Sequence, residues 1–189
     1  MGNEDTLEQK LAQRLLSLRQ GRGWSLDDLA TASGLSRATL SRIERQDTSP
    51  TASQLGQICA AFGTTMSRLL GGLEGELEPY VPRVHQLIWI DPGTGFRRRQ
   101  VSPPSAALRN EIIEGELPVG AVIAYEAPPV MGLEQQIWLM SGRLEFTDQE
   151  AVYILEAGDC LRLHLLGRTR FESLGPEPAH YIVVLSTQV

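Results

Sequence analysis

The apolar residues change period at Gly71-Gly72, and no other feature of this 189-residue chain limits its fold as much. Before that pair they recur at spacings of three and four, as in helices with one buried stripe. After it they fall in short β-branched or aromatic runs parted by Gly or Pro. A chain patterned this way folds as α+β in two domains, an all-α unit followed by an all-β one. The expected boundaries are 1–71 for the helical unit, 72–80 for a solvated Gly- and Glu-rich linker, and 81–189 for the β unit.

Within the first unit, Leu7, Leu11, Leu15 and Leu18 mark an amphipathic helix from Thr6 to Gln20, closed by Gly21. Ser25 and Asp28 have capping-box spacing, and Leu26, Leu29, Ala30 and Ala32 give a second helix its buried face before Gly34 breaks it. Ser36 can cap a third helix from Arg37 to about Arg45. A fourth runs from Ala52 to Phe62 and a short fifth from Met66 to Leu70. Downstream, VHQLIWI, a DPGTG turn and GFRRRQV read as a hairpin. Later short strands with no helices between them point to a sandwich or jelly-roll barrel.

Composition narrows the partners. The net charge of −6 is divided unevenly: residues 1–71 carry eight Lys/Arg against seven Asp/Glu, near +1, which leaves the remainder near −7. Nucleic-acid contact, if the chain makes any, is expected in the first third alone. No apolar run reaches the roughly 18 residues of a membrane span, and MGNEDTLEQK lacks a secretion-signal profile, so a cytoplasmic protein with no membrane partner is expected. Cys59 and Cys160 read as reduced, buried thiols.

The second and third helices, joined through Ala-Ser-Gly-Leu-Ser, have the layout of a helix-turn-helix, in which Gly34 permits the tight reversal. With Leu40 and Ile43 turned inward, Arg37, Ala38, Ser41, Arg42 and Arg45 fall on or beside the outer face. Arg37 and Arg42 suit guanine edges, and Ala38 or the Thr39 methyl suits a thymine methyl. Ser36, Ser41, Thr48 or Ser49 suit phosphate oxygens. A solvated helical hairpin is the alternative for the helix pair taken alone.

Residues 11–70 resemble the five-helix DNA-binding domain of the lambda-repressor and Cro-like (XRE) family. The resemblance is carried by Leu-Ala in the second helix, Gly-Leu-Ser at the turn, Leu-Ser-x-Ile-Glu in the third helix, Ser-Pro-Thr after it and a closing Phe-Gly. It implies that Arg37, Ala38, Thr39 and Arg42 lie near bases, that Ser25 touches phosphate, and that Arg19 and Glu44 form a structural ion pair. A near-neutral domain holds a single half-site weakly, so a homodimer on two-fold-related operator double-stranded DNA is expected.

Residues 117–189 resemble the cupin barrel through WLMSGRLE, LEAGD and GPEPAHYIVVLS. Where many cupins place metal-binding histidines and a glutamate, this chain has Pro129 and Met131 (or Pro128 and Val130), Gln135 and Thr169, which implies no metal and no cofactor. With Gln135 taken as inward by that match, period two turns Ile137 and Leu139 inward and Trp138 outward. Thr169 and Phe171 face them from the opposite wall, with Leu161 and Leu163 close by. Tyr125 adds a hydroxyl, and the lumen suits a small organic effector. Arg97, Arg98 and Arg99 read as a solvated edge, with an anion site as the alternative, and His85, His164 and His180 as surface or structural histidines.

These readings combine into a dimeric transcriptional regulator, more often a repressor in this family, that is not an enzyme. The rival is a metal-independent epimerase-like cupin fused to a DNA-binding domain, for which Tyr125 and His164 would be the residues to test.

Overall fold

A computed structural model describes residues 7–71, 79–105 and 107–186. Five helices come first: α1 (Leu7–Gly21), α2 (Leu26–Ser33), α3 (Arg37–Glu44), α4 (Ala52–Phe62) and α5 (Met66–Gly71). Their ends fall where local chemistry places them. Ser25 and Asp28 close a full capping box on α2, and Thr51 and Gln54 close one on α4. Gly34 takes φ 73° to end α2, a left-handed backbone that lets the chain reverse into α3. The proposed start at Thr6 and linker residues 72–78 lie outside the described residues.

A short 3₁₀ turn (Arg83–His85) leads into ten strands: β1 (Ile88–Ile90), β2 (Arg97–Ser102), β3 (Asn110–Leu117), β4 (Val122–Tyr125), β5 (Leu133–Ser141), β6 (Leu144–Asp148), β7 (Ala151–Leu155), β8 (Cys160–Leu165), β9 (Thr169–Ser173) and β10 (Ala179–Ser186). They form a six-stranded sheet ordered β1-β2-β3-β10-β5-β8 and a four-stranded sheet ordered β4-β9-β6-β7. From β3 onward this is the order of a cupin-like jelly roll, and the β1–β2 hairpin widens one wall. Alternation sets the inside: Leu133, Gln135, Ile137 and Leu139 of β5 are buried while Trp138 and Met140 face out.

Two sequence expectations fail here. Cys160 is exposed, because its position on β8 opposite Trp138 puts it on the sheet's outer face. The arginine run is no solvated edge: β2 lies between β1 and β3, and both Arg98 and Arg99 are buried.

Helices and barrel share one apolar core. The ring of Tyr125 packs on Gly56 of α4 so closely that a Cβ there would sit 2.5 Å from Tyr125 Cδ1. Polar bonds line the same seam. The Ala52 amide donates to Asp91 Oδ1 (3.2 Å), Ser53 Oγ to the Ala124 carbonyl (2.7 Å), Thr65 Oγ1 to Glu111 Oε1 (2.9 Å) and Arg98 Nη2 to Ser67 Oγ (2.6 Å). Three of these bonds are buried and hold the barrel mouth against α4 and α5; the Ser53 bond adds an exposed one.

Candidate nucleic-acid interface and barrel cavity

Helix α3 buries Leu40 and Ile43 and leaves Arg37, Ala38 and Arg42 exposed. Ser36 Oγ accepts from the Thr39 amide at 3.0 Å and shares a 2.8 Å bond with Thr39 Oγ1, so both hydroxyls are engaged in starting the helix. Thr39 and Ser41 are half-buried. Arg37 Nε lies 3.4 Å from Asp27 Oδ1, an exposed pair that water screens. Arg42 has no ion-pair partner among the described residues. Thr48 is exposed and Ser49 half-buried in the loop beyond α3.

Ser25, expected at phosphate, donates from Oγ to Asp28 Oδ2 (2.7 Å) and accepts from the Asp28 amide (3.1 Å). The Ser25 hydroxyl first, and second the Ser25 amide, which donates to Asp28 Oδ2 at 2.8 Å, hold the Asp28 carboxyl below its ordinary range.

What aims α3 is the Arg19–Glu44 pair. Arg19 Nε and Nη2 reach Glu44 Oε1 and Oε2 at 2.7 and 2.8 Å, and Nη1 donates to the Trp24 carbonyl at 2.8 Å. Sequence reasoning missed the neighbouring Arg22, which donates to the Ala61 and Phe62 carbonyls at the end of α4 and stacks over Trp24 and Phe62. The run of basic and aromatic residues Arg22-Gly23-Trp24 was the available signal.

The second site is a cavity of about 110 Å3 at the barrel end nearest the helices. Tyr125, Gln135, Thr169 and Phe171 line it, as expected from the cupin resemblance extended by alternation. Ile137 and Leu163 do not: Ile137 sits two residues deeper along β5 in packed core, and Leu163 is half-buried on edge strand β8, where Leu165 reaches the lumen instead. Phe96, Tyr181 and Phe171 form a stacked row, with ring centroids 6.3 and 5.8 Å apart. Gly56, Cys59, Thr65 and Met66 supply the helical wall, which sequence reasoning did not anticipate.

Burial raises the Tyr125 and Tyr181 phenols well above their ordinary range and pushes the Cys59 thiol up to about 12, so all three stay protonated near neutrality. Burial also draws the Arg98 guanidinium down, although arginine remains charged. Arg98 Nη1 and Gln135 Nε2 are buried without a hydrogen-bond partner among the described residues.

Of the residues that the cupin resemblance sets at metal positions, Pro128, Pro129, Gln135 and Thr169 line the cavity, whereas Val130 and Met131 do not, Met131 being exposed; prolines, an amide and a hydroxyl do not fit a divalent cation. The histidines lie elsewhere. His180 Nε2 is 3.0 Å from Glu114 Oε1, His164 pairs loosely with Glu134 on the surface, and His85 is exposed.

Residues 15–69 match the helix-turn-helix family HTH_3. Over 66 residues the chain is 41% identical to the HTH-type transcriptional regulator SutR of Escherichia coli, a stretch covering 35% of this chain and 37% of SutR. Over 65 residues it is 42% identical to the HTH-type transcriptional regulator DdrOP3 of Deinococcus deserti, covering 34% and 50%. The chain thus spans half or less of the curated relatives it matches. A crystal structure of an HTH_3 family transcriptional regulator from Vibrio cholerae superposes over 97% of this chain and 98% of its own, with a TM-score of 0.80 at 22% identity. That likeness bears on the fold, and it extends through the barrel as well as the helices.

Proposed function

We propose that this HTH_3 protein is a sequence-specific transcriptional regulator that binds operator DNA as a homodimer and senses a small molecule in its barrel. Repression is the mode we favour. The division of labour is 1–71 for DNA, 72–80 as linker and 81–189 for dimerisation and sensing. The observation that carries the reading is the outer face of α3, where Arg42 stands unpaired beside exposed Arg37 and Ala38 on a helix fixed from behind by Leu40, Ile43 and the Arg19–Glu44 pair. A helix so presented fits a major groove. Arg37, Ala38, Thr39 and Arg42 read bases, while Ser25, Ser36, Ser41, Thr48 and Ser49 serve phosphates.

For the two-fold contact we propose the outer face of the six-stranded sheet, where Trp138 and Met140 are 48% and 41% exposed. A second copy is the occupant, because one near-neutral domain makes too few phosphate contacts to hold a half-site alone. We read the cavity as a sensor and not a catalytic centre. Its lining contains two phenols held protonated and no histidine, so the His–Tyr pair that metal-free epimerase chemistry needs is not assembled among the described residues.

Selection of bound duplexes from a random library, followed by anisotropy on the selected site, tests the DNA reading. A two-fold-symmetric consensus is expected, with Arg42→Ala relaxing base preference within each half. Binding that ignores sequence would overturn it.

A further inference from the structure

We infer that the barrel cavity takes a small apolar carboxylate, its anion held by Arg98 and Gln135 and its hydrocarbon part against the aromatic row. This rests on the sensing reading for its consequence at DNA, while the binding stands separately.

Arg98 is 5% exposed. Its Nη2 is engaged by Ser67 Oγ, and its Nη1 meets no acceptor among the described residues. The nearby acids are occupied. Glu111 accepts from Thr65 Oγ1 at 2.9 and 3.1 Å and lies 3.5 Å from Arg68 Nε. Asp91 accepts from the Ala52 and Gly93 amides and from Thr94 Oγ1. A buried guanidinium with a free donor edge is costly until an anion meets it.

Gln135, 6% exposed on the same cavity, offers a second buried N–H without a partner. Two donors and no free carboxylate select an acceptor-only head group and disfavour amines. The remaining wall, with Phe96, Ile113, Leu133, Phe171 and Tyr181, favours a hydrocarbon over a sugar or a phosphate ester. At roughly 10–15 Å3 per water-sized occupant, 110 Å3 admits about seven to eleven non-hydrogen atoms. That is the size of a short-chain or single-ring acid.

The position also makes the ligand matter. Arg98 bridges to Ser67 on α5, and Gly56 and Cys59 bring α4 to the same cavity. An anion on Nη1 therefore acts on the group that fastens the DNA-binding unit to the barrel, with no relay between them.

The test uses the full chain and four probes at fixed ionic strength: benzoate and hexanoate, with benzamide and hexan-1-ol as neutral counterparts. Calorimetry should show the acids binding about tenfold or more tighter than their counterparts, as charge-assisted bonds require. Arg98→Met should abolish that preference. Gln135→Glu supplies the missing carboxylate from within, so it should fold at least as stably and exclude both acids, and it keeps the test decisive if Arg98→Met does not fold. Equal binding of acids and neutral probes, no binding of the acids, or undiminished acid binding by Gln135→Glu would each overturn the inference. Operator anisotropy with and without benzoate separates the two claims. Acids that bind without changing operator affinity support the ligand class and sink the sensing reading. Neutral probes that bind as tightly as the acids and do change it support sensing and sink the ligand class.

Discussion

Helix α3 with its cap and strand β2 each carry three arginines, Arg37, Arg42 and Arg45 on one and Arg97, Arg98 and Arg99 on the other, and they put them to opposite use. On α3 the guanidinium groups ride outside a helix whose apolar face is fully spent on the core, so they stay in water for a polyanion to find. On β2 successive side chains point to opposite faces and both faces are covered. Arg98 enters the cavity, while Arg99 turns the other way and bonds Glu114. Surface arginines give long-range attraction that salt weakens; a buried one gives short-range choice of a single ligand. The charge proposed to read DNA and the charge proposed to hold an acid differ in solvation, not in residue type.

The largest effect that bears on this contrast concerns what holds α3 in place. Removing one member of the Arg19–Glu44 pair strands its partner in a site where the two side chains are only 13% and 8% exposed. Arg19→Ala should cost about 3 kcal/mol in urea denaturation, with operator binding lost in parallel. The double substitution Arg19→Met with Glu44→Leu should recover most of that stability, which would assign the loss to an orphaned charge. Next comes the contrast itself. Arg42→Ala should weaken the specific complex by about 1–3 kcal/mol, roughly 5- to 150-fold by anisotropy, and leave acid binding in the cavity within about twofold. Loss of acid binding as well from this surface substitution would mean that the buried and exposed arginines are not functionally distinct.

The helical half was readable because every signal in it is local. The serine caps, Gly34 and the leucine spacing each act within four residues, so α2, α3 and α4 begin at the expected positions. Arg42 on the outer face followed from the same spacing. In the barrel, the resemblance to cupin ligand positions set Gln135 and Thr169 inward, and alternation carried the assignment from Thr169 to Phe171. Alternation could not show that β2 is an interior strand, since neighbours in a sheet are chosen by topology, and the exposed edge inferred for Arg98 is in fact a buried junction. Nor could it show that α4 closes the cavity. Gly56 and Cys59 read as ordinary positions of an amphipathic helix, and only the docked barrel gives them a second role. Leu163 failed for a related reason: parity gives the face of a strand but not how far along the lumen the open space reaches.

The junction between the two regions can be stressed with one methyl group. Gly56→Ala adds helix propensity to α4 worth about 0.5–1 kcal/mol, yet its Cβ would meet the Tyr125 ring at 2.5 Å. We expect net destabilisation of about 1 kcal/mol in thermal unfolding and weaker binding of acids in the cavity. Tyr125→Leu in the same chain should relieve the clash, whereas Tyr125→Phe, which keeps the ring, should not. A Gly56→Ala chain more stable than the parent would show that helices and barrel are not held in this contact in solution.

The smallest effects lie at acid pH, where the two regions separate once more. Glu114 is raised by desolvation, but hydrogen bonds from His180 and Arg99 outweigh this and leave it below its ordinary range. Asp28 is lowered by Ser25 through the capping box. Both are carboxyls depressed on folding, so each adds stability that is present above its unfolded value and fades as pH falls through the folded one. For Asp28 that window opens below the ordinary 3.8. Ser25→Ala should therefore lower the unfolding temperature by a constant amount at neutral pH, and the gap to the parent should narrow below that value as Asp28 protonates in both. Glu114→Gln should narrow its own gap in the same direction and by more, because its carboxylate is better shielded from water. A Ser25→Ala gap that stays fixed down to the lowest accessible pH would mean that the hydroxyl caps α2 without help from the Asp28 charge.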